Sequence, residues 1–281
     1  MRSFLMVAGA GALVSGCGSG SSADPDAVPG TPPEFRVDGT GTIALIESDI
    51  VLGGVHVYLF DRAVEQPIPD RVAEAGDCAI YRRARPTCSD GCPTGRCVAD
   101  DTCAPFPVPA SAGDIELTGL RVSLTMTPNG FGYDMPSLPE DLFADDAAIH
   151  IAAAGAAIPA FTADLAGVAP LITAVPEVVE IDDGVDEVFT WTPAAGGAQI
   201  QIALHFGWHG NPWTDLLICE TADDGEYVLP AALIEQLPHF TGGKLPWPSW
   251  IGRFRRTWIA TAAGPIEIHV ASQQGFYLSH P

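Results

Sequence analysis

Lysine is almost missing from this chain. Of 281 residues, Lys and Arg together supply 13 against 35 Asp and Glu, and Lys244 is the one lysine. The formal net charge is −22. Phosphate backbones are held by basic patches, so nucleic acid is excluded as a partner. Charge of either sign is sparse, at 17%, whereas apolar residues reach 47%, enough for a sizeable core. Long apolar runs are lacking too. Phe4 to Val14 covers about eleven residues, and a membrane-crossing helix needs roughly twenty. Nothing later in the chain is long enough to span. There is no Gly-x-Ser-x-Gly, no His-Glu-x-x-His, no Ser-x-x-Lys and no phosphate-binding glycine loop. Local motifs therefore give no support to an enzyme, although triads and paired carboxylates assembled in space leave no such trace.

What is present begins with the leader. Arg2 gives the positive start, the apolar run follows, and small residues precede Cys17 in Leu13-Val14-Ser15-Gly16-Cys17. This arrangement resembles the lipobox of bacterial lipoproteins. The resemblance implies that 1–16 is a cleaved signal peptide. It also implies that Cys17 becomes the acylated first residue, anchored by two or three chains. Gly18, where an Asp implies inner-membrane retention in that family, favours the outer membrane, on its periplasmic or outer face. Residues 17–34 are rich in Gly, Ser and Pro and read as a lipidated, flexible tether.

Six cysteines remain. Five of them, Cys78, Cys88, Cys92, Cys97 and Cys103, fall in the segment 76–105, among Gly, Pro, Asp and Thr. In an exported chain such a cluster is a disulfide framework, needed because the segment has too little apolar content for a core. Zinc is the alternative reading of the same spacing. The segment resembles a truncated EGF-type module. The pairing we favour is Cys88–Cys97, Cys92–Cys103 and Cys78–Cys219, against an alternative in which Cys219 is a buried free thiol.

The rest alternates. Gly and Pro, 30 and 25 residues, are scattered without a period and punctuate many short apolar runs, which predicts an all-β chain. Strands are expected at 43–46, 55–60, 115–118, 120–126, 147–153 and 158–163. Further strands are expected at 188–192, 199–208, 214–220, 225–229, 253–261, 266–271 and 275–278. Pro230 marks one short helix over 230–237. Two β-sandwich domains follow from this pattern. The first spans 35–182 and carries the insert 76–105; the second spans 183–281, a length that suits an immunoglobulin-like sandwich. Trp191-Thr192-Pro193, with Ile218-Cys219-Glu220, Asp223-Asp224-Gly225 and Leu229-Pro230-Ala231, resembles uncharacterised bacterial surface lipoproteins of immunoglobulin or fibronectin type. That resemblance implies architecture and no activity.

Candidate sites are few. His205 and His209 would share a face of a continuing strand and suit a metal, with Asp215 the nearest carboxylate. The competing reading is a pair of surface histidines. Asp100-Asp101, Asp182-Asp183 and Asp223-Asp224 offer hard oxygen for calcium, although Asp-Asp-Gly is also ordinary turn chemistry. No other cofactor is expected. Trp213, Trp247 and Trp250 sit in Pro/Gly-rich sequence, either as a binding platform for glycan or protein or as caps over the core. Arg253, Arg255 and Arg256 are expected to pair with carboxylates. The function expected is a non-enzymatic binding or envelope-structural module anchored in the outer membrane by lipid. The alternative is an envelope-associated hydrolase of glycan or peptide with its site between the domains.

Overall fold

Period-two alternation turns into strands along most of the chain. The computed structural model describes residues 33–34, 38–48, 53–130, 132–133, 138, 141–207, 213–240, 245 and 248–281. Cys17 and the leader lie outside the described residues. The first part of the chain supplies β1 (Gly41–Ser48), β2 (Gly54–Leu59), β3 (Asp70–Ala75), β4 (Cys78–Arg82) and β5 (Gly95–Ala99). It continues with β6 (Thr102–Pro105), β7 (Ile115–Thr118), β8 (Leu124–Met126), β9 (Ala148–Ala153) and β10 (Phe161–Ala166). The second part supplies β11 (Val178–Glu180), β12 (Glu187–Thr190), β13 (Gln199–Phe206), β14 (Asp215–Ala222) and β15 (Glu226–Leu229). The helical turn α1 (Ala231–Ile234), β16 (Ser249–Thr261) and β17 (Gly264–Ser279) complete it. The chain is all-β with several sheets, as its pattern predicts. Among the described residues one helical turn forms, with Pro230 at its N-cap, and it covers 231–234 rather than the whole of 230–237.

The largest sheet runs β2-β1-β17-β16-β13-β14-β4-β3, and β11 joins the end of β17. Two hydrophobic cores pack on it. In the first, Ile43, Leu45, Val57, Ile266 and Ile268 meet Ile115, Leu117, Ile149 and Ile151 of the β10-β9-β7-β8 sheet. In the second, Ile200, Ile202, Leu204, Leu217 and Ile251 meet Phe189 and Leu229 of the β12–β15 ribbon and Leu233 and Ile234 of α1. The cores largely follow the segments 35–182 and 183–281. The sheet does not. β1 pairs in parallel with β17 over eight positions, Gly41↔Ile266 to Ser48↔Gln273, and β4 pairs with β14. Both cores also reach across 182/183, since Ile266, Ile268 and Val270 pack in the first and Cys78, Ile80, Val179 and Ile181 in the second, and the sheet runs through that point unbroken. Periodicity sets which face of a strand is buried but not which distant strand lies beside it.

β3, β4, β5, β6 and β11 form where no strand was expected, β16 begins at Ser249 rather than at 253, and two expected assignments change in kind. The segments 266–271 and 275–278 form one strand, because Gln273 and Gln274 stay in register opposite Gly252 and Ile251. Gln274 Nε2 also donates to Val175 O (2.9 Å), which satisfies a polar side chain within the sheet. The run 120–126 keeps only its end as β8. Gly119 takes φ +82, and a Cβ there would lie 1.9 Å from Ala148 O. The turn this permits sends Arg121 N to Leu142 O, and Val122 points to solvent.

The cysteines pair as Cys78–Cys219, Cys88–Cys97 and Cys92–Cys103. Cys219 is therefore not a free thiol. The last two bridges staple the small β5–β6 hairpin, where only Ala104 is buried within the strands. Cys78–Cys219 closes 141 residues and fastens β4 to β14. Replacing both of these cysteines by Ala should destabilise the protein by about 2–5 kcal/mol, since the bridge constrains a long loop of the unfolded chain. A fall in the urea midpoint at unchanged slope is the measurement.

Candidate functional site

Arg253 lies on the core side of β16, between the two cores, and is 1% exposed. A buried guanidinium is tolerated only when all its N–H groups are bonded. Here they are. Nε donates to Asp223 Oδ2 (2.6 Å) and Nη2 to Asp223 Oδ1 (3.1 Å). Nη1 donates to Ala169 O (3.1 Å) and Pro170 O (2.8 Å), and Nη2 also to Thr192 O (2.6 Å). Asp223 accepts in addition from Trp191 Nε1 (2.7 Å) and Ala194 N (3.2 Å). Its oxygens are thus fully engaged, and Asp223 is a structural partner rather than a metal ligand. Asp224 is exposed beside it. Arg255 pairs with Asp146 and Arg256 with Glu220, so each of the three arginines has a carboxylate.

The opposite face of the sheet is polar and aromatic. Trp250 Nε1 donates to Gln201 Oε1 (3.2 Å), Gln201 Nε2 to Glu220 Oε1 (2.8 Å), and Arg256 Nη2 to Glu220 Oε2 (2.7 Å). Arg256 lies 5.2 Å over the Phe254 ring, which stacks on His269 at 5.7 Å. Trp250 is buried, and its ring meets His205 edge-on at 4.8 Å. Trp213 is half-buried against Ala79, Tyr81, Leu216 and Ile218. Trp247 lies outside the described residues. Among the described residues, then, the tryptophans are packed rather than presented as a platform.

His205 is partly buried, with its Nε2 sealed from solvent. Its Nε2 has no hydrogen-bond partner among the described residues, and burial pushes its pKa down to about 4. His209, its expected metal-binding companion, lies outside the described residues. His269 is pushed to about 3 by burial and by the Arg256 guanidinium. The exposed acidic turn Asp100-Asp101 accepts hydrogen bonds from the segment before it. Asp100 Oδ1 accepts from Thr87 N (2.8 Å), and Asp101 Oδ1 accepts from Ser89 N (2.9 Å) and Ser89 Oγ (2.7 Å).

Two groups of potential ligand atoms converge among the described residues. The sulfurs of Cys88, Cys92 and Cys97 lie within 4.8 Å of one another, but as halves of disulfides they offer no thiolate for zinc. The second group is Asp183, His239 and His280, also within 4.8 Å. Asp183 follows β11 in a turn, His239 follows α1, and His280 follows β17. His280 is fully buried, whereas Asp183 and His239 are half-exposed. Asp183 Oδ2 stands 3.2 Å from His239 Nε2, and Oδ1 stands 3.3 Å from His280 Nε2. The sequence reading noted Asp183 only as a calcium-type oxygen. Neither histidine carries a spacing signal, since 41 residues separate them and the sheet brings them together. No family model, curated protein or solved structure matches the chain.

Two outcomes follow from these burials. Asp223→Ala leaves the Arg253 charge buried and unpaired, which should cost about 3–5 kcal/mol in chemical unfolding with little dependence on salt. His205 and His269 bind a proton in the unfolded chain near the ordinary value of 6.5 but resist it when folded. Their contribution is full above that value and is lost as pH falls toward about 4 and about 3. The urea midpoint should therefore fall between neutrality and moderate acid. His205→Gln with His269→Gln should flatten that slope.

Proposed function

We propose that this chain is an exported lipoprotein, held at the outer membrane by an acylated Cys17, that acts by binding or as an envelope-structural module rather than by catalysis. The observation that carries the reading is the use of cysteine. The chain has seven, six are joined in three disulfides, and the one left over is Cys17, at the end of the lipobox-like run. Disulfides suit an oxidising compartment outside the cytoplasm, and an acylated cysteine suits the same export route.

The surface that supports binding is the edge where β3 meets the stapled hairpin. Ile68 is 64% exposed and lines an open depression of about 400 Å³ with Ala84, Pro86 and Val98. Phe106 and Val108 are more than half-exposed nearby in sequence, and Arg96 lies 5.7 Å over the Phe106 ring. Exposed apolar side chains on a covalently rigid hairpin reduce the ordering cost of association with a protein or glycan. The acidic surface is a poor match for anionic partners.

A hydrolase of envelope glycan or peptide draws on one observation, the Asp183–His239–His280 cluster. Reproducible turnover of such a substrate by the purified protein would replace the binding reading.

Mass spectrometry of the protein purified from membranes should show residues 1–16 removed and Cys17 bearing acyl chains. Cys17→Ser should move the protein out of the outer-membrane fraction with its melting curve unchanged. An intact leader or an unmodified Cys17 thiol in the native protein would overturn the anchor.

A further inference from the structure

We propose that Asp183, His239 and His280 form a binding site for one divalent transition-metal ion of the zinc class. The proposal stands on the folded body alone and is independent of the anchor.

The tautomers come first. His239 Nδ1 lies 2.6 Å from Pro281 O, and His280 Nδ1 lies 3.1 Å from Pro238 O. Each backbone oxygen can only accept, so each Nδ1 carries the hydrogen. In a neutral ring this leaves Nε2 with its lone pair. Both Nε2 atoms face the Asp183 carboxylate, one on each oxygen. Lone pairs turned toward a carboxylate repel it unless a cation lies between them. The two rings lie side by side, with centroids 4.3 Å apart and planes 21° from parallel, and both present Nε2 to the same carboxylate. One metal ion held by all three residues would take up both lone pairs and the carboxylate charge. The Nδ1–H to backbone bonds then serve as the outer contacts that fix ring orientation around a metal.

Spacing gives the second argument. Ligand atoms about 2.0–2.1 Å from a tetrahedral zinc ion lie about 3.3 Å from one another. One atom from each of the three residues lies within 4.8 Å of the others, and the observed separations, 3.2 Å from Asp183 Oδ2 to His239 Nε2 and 3.3 Å from Oδ1 to His280 Nε2, are of that order. Those values are long for a charge-assisted hydrogen bond, which favours about 2.7–2.9 Å. Two imidazole nitrogens select zinc and its neighbours over calcium or magnesium, which prefer oxygen. The neighbouring histidines thus change what Asp183 offers, from half of a calcium-type turn to one arm of a nitrogen-rich site. The half-exposed Asp183 and His239 open the site to solvent, and three protein ligands leave a fourth position free. The ion would also tie the turn after β11, the residue after Pro238 and the end of β17 into one knot.

The test uses the mature protein with disulfides intact, stripped of metal by a chelator and titrated with zinc chloride in a calorimeter. One zinc per chain should bind, and the melting midpoint should rise with free zinc. Asp183→Asn and His239→Ala, both at half-exposed positions, should each weaken binding by at least about tenfold. Both should melt as the parent does in chelator. Millimolar calcium should not displace the zinc. His280 is fully buried and is not the primary probe, because its replacement can unfold the region. No stoichiometric zinc binding at micromolar free zinc, or binding unchanged in both variants, would overturn the site. Unchanged binding would instead place the ion on the acidic surface or the cysteine hairpin.

Discussion

The buried pair of Arg253 and Asp223 is the interaction on which the two-core arrangement depends. A continuous sheet that carries two separate cores must pass the chain from one to the other. That passage runs through 167–177, where several backbone groups are bonded by side chains of the adjacent strands. Arg253 takes Ala169 O and Pro170 O, Ser272 Oγ accepts from Leu171 N (3.0 Å), and Gln274 takes Val175 O. Adjacent strands thus present polar side chains to one crossing segment and satisfy it. A buried charge is a poor source of net stability when weighed against a well-packed apolar substitute. Its use here is positional, because no apolar side chain can bind three backbone carbonyls and a carboxylate together.

This node also explains why two distant motifs occur together. Trp191-Thr192-Pro193 and Asp223-Asp224-Gly225 are in contact. Trp191 Nε1 donates to Asp223 (2.7 Å), Trp191 N donates to Gly225 O (3.0 Å), and Thr192 O accepts from Arg253. Gly225 holds φ +108 with Pro193 packed at 3.3 Å from where its Cβ would be. A β-carbon is excluded there by both backbone and neighbour. Each of these residues has a local physical job that does not depend on any activity.

Most strand positions were legible because alternation is local. Ile200, Ile202, Leu204 and Phe206 are buried on one side of β13, and Val55, Val57 and Leu59 on one side of β2, an edge strand whose Tyr58 is exposed. Pairing was not legible, because β1 finds β17 more than two hundred residues away and a period of two carries no address. The site followed the same rule. The disulfide spacing could be read because short loops restrict partners. The His239–His280 stack could not, because its members come from two loop ends that only the finished sheet aligns. Trp250 misled for a related reason. The Pro- and Gly-rich text before it suggests a loop, yet β16 begins at Ser249 and draws the indole inside.

The placement of covalent staples follows from where apolar burial runs out. Both cores are dense with fully buried Ile, Leu, Val and Phe, and the hydrophobic effect can hold them. The β5–β6 hairpin has one buried side chain within its strands and no second layer, so burial cannot offset the entropy of ordering it. Two of the three disulfides are spent there. Asp100 and Asp101 tie its turn to Thr87 and Ser89 through hydrogen bonds from both backbone and hydroxyl donors. The remaining bridge joins strands already deep in the second core, where Cys78 and Cys219 are both fully buried. It adds a constraint across the 182/183 boundary and no new packing. The hairpin is therefore the segment whose order rests on redox state, and the sandwich is the part whose order rests on packing. Oxidation fixes what a small exposed loop cannot bury.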